Sequence, residues 1–305
     1  MKKVGGTGVV RAWGGLLWLV TGLVLSMPSL GRAACDCSNN GYAWLVNTKV
    51  RFNNDAMIVG NVGANLPGGL VRFGRNSCQG MNEANPCIGN SVSVSSDKLV
   101  VGEGSSIAGS ESNNLKLGAG ATVRNPPLLA VTLPLVSNDP SSVCGAFADI
   151  DCTGGSPLSV PAGGNAVITP GVYGALVVGN GATVVFSSAG SYTFCSVKIG
   201  SNVSGTVHED AVLNVAGKFS MGSGSNLLVN LLGQDGPFVL NVEGAIVRIS
   251  QGSLLEAEVR APFGKIKMQR ASVIRGCSCS NSMTSDKNHA NVCQDSGSPS
   301  GAFLD

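Results

Sequence analysis

The sequence predicts an all-β chain: a parallel β-helix (β-solenoid), braced by disulfides, with an irregular Pro-rich connector between two stacks of coils. Three observations carry that expectation: a glycine-dense composition, a recurring strand-and-corner motif, and an even number of cysteines behind an export signal. The chain has 305 residues, of which 43 are Gly, with aromatics at only 5% and charged residues at 12%. A core must therefore be built from Val, Leu, Ile and Ala. The Lys-, Glu-, Leu- and Ala-rich stretches that make amphipathic helices are missing after residue 34.

The motif is an apolar residue, an outward residue and an apolar anchor, followed three positions later by a corner. The anchors are Phe52, Phe73, Val101, Leu117, Val178, Ile199, Met221, Ile249 and Met268. Two residues before each stands Val50, Val71, Leu99, Leu115, Leu176, Val197, Phe219, Val247 or Ile266, always apolar. Three after come Asp55, Asn76, Gly104, Gly120, Gly181, Asn202, Gly224, Gly252 and Ala271. All but the last are Gly, Asn or Asp, which tolerate a left-handed backbone, so a tight bend belongs there. The next position is Ala or Ser in every copy but Val203, as befits a side chain packed inside a corner. Anchors follow one another at 21, 28, 16, 61, 21, 22, 28 and 19 residues. Spacings near twenty suit one coil of a solenoid, whose apolar face is buried only by stacking on its neighbours. A sandwich of antiparallel hairpins would need alternating turn types, whereas here the same corner recurs.

The longest gap, from Leu117 to Val178, holds Asn125-Pro126-Pro127, Pro134, Asp139-Pro140, Pro157 and Pro161. The expected organisation is a signal over 1–33, an N-terminal cap and first stack over 34–124, a connector over 125–164, a second stack over 165–276, and a Cys-containing cap and tail over 277–305. The periodicity defines coils and leaves open whether the two stacks are coaxial. Residues 41–45 and the 277–305 segment are expected to close the two ends, which argues against end-to-end polymerisation.

The export signal consists of Lys2, Lys3 and Arg11, an apolar stretch from Leu16 to Leu30, and Gly31-Arg32-Ala33, with cleavage after Ala33. The short run and Pro28 disfavour a retained membrane anchor. Arg32 disfavours acylation at Cys35. No second apolar run is long enough to span a bilayer, so the mature chain is expected at the cell surface or outside, with the periplasm as the alternative. Cleavage removes four basic residues from 20 and none of the 18 acids, leaving a net charge of −2. That balance points to no specific nucleic-acid recognition.

All ten cysteines follow the signal. In an exported chain they read as disulfides, with Cys78 to Cys87 and Cys144 to Cys152 the nearest pairs. Cys293 is then expected to join Cys277 or Cys279, and Cys195 the other. The spacing Cys-x-Cys and the scarcity of His, with only His208 and His289, give no metal-site pattern. No cofactor is expected.

Equivalent positions of a solenoid stack, so function follows columns. Immediately before the anchors stand Arg51, Arg72, Val100, Lys116, Val177, Lys198, Ser220, Arg248 and Lys267. Six of the nine are basic, where composition alone would place about half a residue. Alternation with buried neighbours points them outward. Arg51, Arg72, Lys116, Lys198, Arg248 and Lys267 are thus the candidate ligand-binding residues, suited to an anionic polysaccharide or another surface polymer. The competing reading is that they keep an exposed sheet soluble. Catalysis finds only weak candidates, Asp149 and Asp151 beside Cys152 and the run His208-Glu209-Asp210, with no partner column of acids. The chain therefore reads more readily as a binding protein than as an enzyme.

The segments LVVGNGATVVFSSAGSYTF, VKIGSNVSG and VRISQGSLLEAEVRAPFGKIKMQRASVIRG resemble the β-solenoid segments of secreted Gly-rich bacterial surface proteins. The coil from Ala261-Pro262 to Gly276 resembles the closing coil of those proteins. The repeat rhythm is similar to that of the polymer-forming bactofilins. The resemblance covers 165–276 best and 50–124 more loosely. It implies a structural or adhesive component of the cell surface or extracellular matrix. The alternatives are a polysaccharide lyase or glycoside hydrolase on the same scaffold, and a self-assembling solenoid, with oligomeric state open.

Overall fold

A computed structural model describes residues 42–80, 94–125, 133, 135, 144, 148–230, 238–286 and 290–292. The alternation of the motif is realised as strands that pair only in parallel. In the first stack these are β1 (Tyr42–Phe52), β2 (Met57–Val59), β3 (Asn61–Ala64), β4 (Leu70–Phe73), β5 (Cys78–Gly80), β6 (Val94–Val101), β7 (Ser106–Ile107), β8 (Ser110–Leu117) and β9 (Thr122–Val123). The second opens with β10 (Ser156–Val160), β11 (Asn165–Ile168), β12 (Gly171–Val178), β13 (Thr183–Phe186), β14 (Gly190–Ile199) and β15 (Ser204–His208). It continues through β16 (Ala211–Val215), β17 (Phe219–Met221), β18 (Asn226–Asn230), β19 (Phe238–Val242), β20 (Ile246–Ile249), β21 (Leu254–Met268), β22 (Val273–Arg275), β23 (Ser278–Ser285) and β24 (Ala290–Val292). Each coil supplies a leading strand, the motif strand and, beyond the corner, a trailing strand. The stacked coils thus have three faces, here called leading, motif and trailing.

The corners are what the residue types require. Asp55, Asn76, Asn202 and Ala271 have φ of 58°, 52°, 55° and 55°, and the five glycines expected at corners lie between 65° and 67°. The small residue that follows is buried in every copy but the half-buried Ala121, and Ser77, Ser105, Ser225 and Ser253 are bonded between coils, while Ser272 Oγ donates to the Gln269 carbonyl of its own corner. Ser225 Oγ accepts from the Val203 N–H at 3.1 Å and donates to the Gly200 carbonyl at 2.7 Å, and the Ser225 N–H donates in turn to Ser253 Oγ at 3.3 Å. Ser77 and Ser105 repeat the arrangement in the first stack. A corner hydroxyl thus satisfies backbone groups that the bend removes from the strand ladder.

Along the motif face the strands follow the order β10, β12, β14, β17, β20, β21, β23, β1, β4, β6, β8. The two stacks are therefore one solenoid of eleven coils in which the N-terminal stack is laid on the C-terminal end of the second. The joint is made by β23 against β1 and β24 against β2. Inward residues form continuous rungs, Val197, Phe219, Val247, Ile266, Met283, Val50, Val71 and Leu99 among them, each 2% exposed or less. Each such side chain contributes about 1.5–3 kcal/mol by leaving water.

Chain and space run in different orders, and three expectations change. The segment from residue 277, expected as a cap, forms coil seven and is paired on both sides, by β21 and by β1. Tyr42 to Leu45, expected to close the other end, lies in coil eight against β23 and β3. The argument against end-to-end stacking that rested on those caps falls with them. The second stack also starts one coil earlier than expected, at Ser156, with Val160 as anchor and Gly163 (φ 67°) as corner. Pro157 and Pro161 fit there because this is the outermost strand of the stack, where a missing N–H costs no ladder bond.

The return segment from coil eleven to coil one is fastened at every second coil. Leu135 donates its N–H to the Asn65 carbonyl beside coil nine at 3.4 Å, and Cys144 is bonded to Cys279 in coil seven. Ile150 donates its N–H to Glu243 beside coil five at 3.2 Å, and Cys152 is bonded to Cys195 in coil three. The expected Cys144–Cys152 pair, and the expected pairing of Cys195 with Cys277 or Cys279, are thus replaced by two bridges from the return segment to the solenoid wall. Sequence proximity gave the wrong partner for Cys144 and Cys152 because each meets a coil distant from it in sequence. Cys78 and Cys277 each take part in a disulfide of their own. Cys87 and Cys293 lie outside the described residues.

Candidate polyanion-binding face

The outward column of the motif face starts from strand alternation: Val50 and Phe52 point in, so Arg51 points out. Register then aligns Ser159, Val177, Lys198, Ser220, Arg248, Lys267, Thr284, Arg51, Arg72, Val100 and Lys116, coil by coil, in a single file. All six predicted basic residues lie in it. Thr284 joins what had been two separate columns. Eight steps of about 4.8 Å separate Lys198 from Lys116, so the charged part runs for roughly 38 Å along the solenoid axis.

Arg51, Arg72, Lys116, Lys198 and Arg248 are exposed and Lys267 is half-buried. Among the described residues none of the six forms an ion pair. The ion pairs found there lie elsewhere: Arg75 with Glu103 at a corner (3.3 Å), Arg260 with Glu258 (2.7 Å) and Arg275 with Glu256 (2.9 Å). Adjacent rungs put Arg51 beside Arg72 and Arg248 beside Lys267. Two unit charges at one rung's separation repel by about 1 kcal/mol in water, less with salt. A row of anions laid along the column would relieve that repulsion.

A second outward column, two residues earlier in each motif strand, was not read from the sequence. It contains Lys218, Lys265, Lys49 and Lys98, with Ser282 between Lys265 and Lys49 in register, and Leu70 and Asn114 on either side of Lys98. Four of the nine anchors have a Lys at this position. The same column count, applied three residues before the anchor, would have found it.

The weak catalytic candidates do not join this face. Asp149 and Asp151 belong to the return segment near Cys152. Asp151 is fully exposed and accepts the Thr153 N–H at 2.8 Å, a backbone bond that holds its carboxyl below the ordinary 3.8. His208 ends a trailing strand and accepts the Asp210 N–H on Nδ1 at 3.2 Å, where the trailing face turns into the next coil. Glu209 Oε2 is buried there without a hydrogen-bond partner. The two acidic groups thus occupy different corners. No group of three His, Cys, Asp or Glu among the described residues is placed to hold a metal.

No protein family model matches the chain, and no curated protein matches it. Solved structures similar to it include an ice-binding protein from the Antarctic ascomycete Antarctomyces psychrotrophicus, at 14% identity and a TM-score of 0.40, covering 86% of this chain and all of that one. An ice-binding protein from an Antarctic bacterium, Flavobacteriaceae, matches at 12% identity and a TM-score of 0.25, over 86% of this chain and 82% of that one. The strand pairing itself defines the β-helix described above.

Proposed function

We propose that the protein is a secreted structural or adhesive β-solenoid of the bacterial cell surface or extracellular matrix, and that it binds acidic polysaccharide along the motif face. The observation that carries the reading is the single file of outward positions, continuous in register across both stacks, in which six of the eleven residues are Lys or Arg and free of ion pairs among the described residues. The signal-like N-terminus and the disulfides that fasten the return segment support export to an oxidising compartment. A polymer suits this face because charge is spread along an axis rather than gathered in a pocket. Lys198→Glu combined with Arg248→Glu should abolish retention on immobilised polygalacturonate while the chain still melts cooperatively, at a midpoint no lower than the parent's. Retention that is unchanged, or insensitive to salt, would overturn the proposal.

A further inference from the structure

The cations of the motif face fall into two groups of equal size, one from each stack. Coils three to six carry Lys198, Lys218, Arg248, Lys265 and Lys267. Coils eight to eleven carry Lys49, Arg51, Arg72, Lys98 and Lys116. Coil seven lies between them and offers only Ser282 and Thr284, both uncharged, at the two column positions. Each group spans three coil steps, roughly 14 Å, and their centres are five steps or about 24 Å apart.

Resting on the polysaccharide reading above, we infer that the face is bipartite: two equivalent half-sites, separated by a neutral rung, which one long chain occupies together and short chains occupy separately. The half-sites come from opposite ends of the sequence and are brought into line by the pairing of β23 with β1. The solenoid is a stiff spacer, so a ligand long enough to reach both pays the association cost once. A ligand shorter than one half-site gains nothing from the second.

The test uses the full chain and oligogalacturonates fractionated by length, with affinity and stoichiometry read by titration calorimetry at fixed salt. Oligomers under about 20 Å should bind weakly with two equivalents per chain, and those over about 40 Å with one equivalent and roughly 100-fold or more tighter. The triple variant Arg248→Gln, Lys265→Gln, Lys267→Gln should return long oligomers to the short-oligomer affinity, with a melting temperature no lower than the parent's. Affinity that climbs smoothly with length, with no step and no change of stoichiometry, would overturn the bipartite arrangement and leave polysaccharide binding standing. Failure of every length to bind would overturn both.

Discussion

A single backbone angle decides what each corner residue contributes. Ala271 holds φ at 55° where the other corners have Gly, Asn or Asp, and an L residue there carries about 1 kcal/mol of steric strain. Ala271→Gly should therefore raise stability, by no more than about 1 kcal/mol once the added chain entropy is subtracted, as read by denaturant titration. A Cβ at Gly181 meets nothing within 4 Å, so Gly181→Ala should cost only the conformational strain, about 1 kcal/mol. Gly102→Ala should cost distinctly more, because a Cβ there runs into the Gly74 carbonyl of the neighbouring coil. Ser225→Ala should lose about 2 kcal/mol, since it strands the buried Val203 N–H as well as removing a bond. Tyr42 is pushed above its ordinary 10.0 chiefly by burial, with Ser95 opposing and Glu111 assisting. Its neutral form is thus favoured in the folded state, and the stability it supplies is present below pH 10 and lost as pH rises through the higher folded value. Tyr42→Phe should flatten that alkaline loss relative to the parent chain, measured by thermal melts across pH 9 to 11.

At the scale of strands, the local pattern was legible and the connections were not. Nine anchors and their corners could be read because a left-handed bend admits few residue types and a buried rung admits only apolar ones. Two coils were missed for physical reasons. Val160 sits among prolines that only an outermost strand tolerates, and the anchor position of β23 is Ser285, a buried polar residue that breaks the apolar rule. The Cys144–Cys152 pair was assigned by proximity, whereas each of these cysteines is bonded to a coil farther away in sequence. Because Cys144–Cys279 closes 135 residues and Cys152–Cys195 closes 43, chain entropy alone assigns about 5 and 4 kcal/mol to them. Replacing Cys144 and Cys279 with Ser should therefore lower the unfolding midpoint more than replacing Cys152 and Cys195, in otherwise identical melts.

For the molecule as a whole, the basic column was legible because stacking turns a sequence position into a line in space. Its continuity was not, because nothing in a period of about twenty residues says which coil lies next to which. The cost of assembling such a line is electrostatic, so its removal has a measurable sign. Raising salt should stabilise the parent chain more than the Lys198→Glu, Arg248→Glu variant, by less than about 1 kcal/mol, since screening relieves repulsion that the variant no longer has. The joint between β1 and β23 also bears on biogenesis. Coils eight to eleven are synthesised before coils one to six, yet the strand on which they must dock is made after both. Coils eight to eleven must wait, with the edge of β1 open, until β23 has been made. A chain interrupted before residue 277 would keep most of its coils and lack the one that unites them, so the joint can form only after β23 has been made.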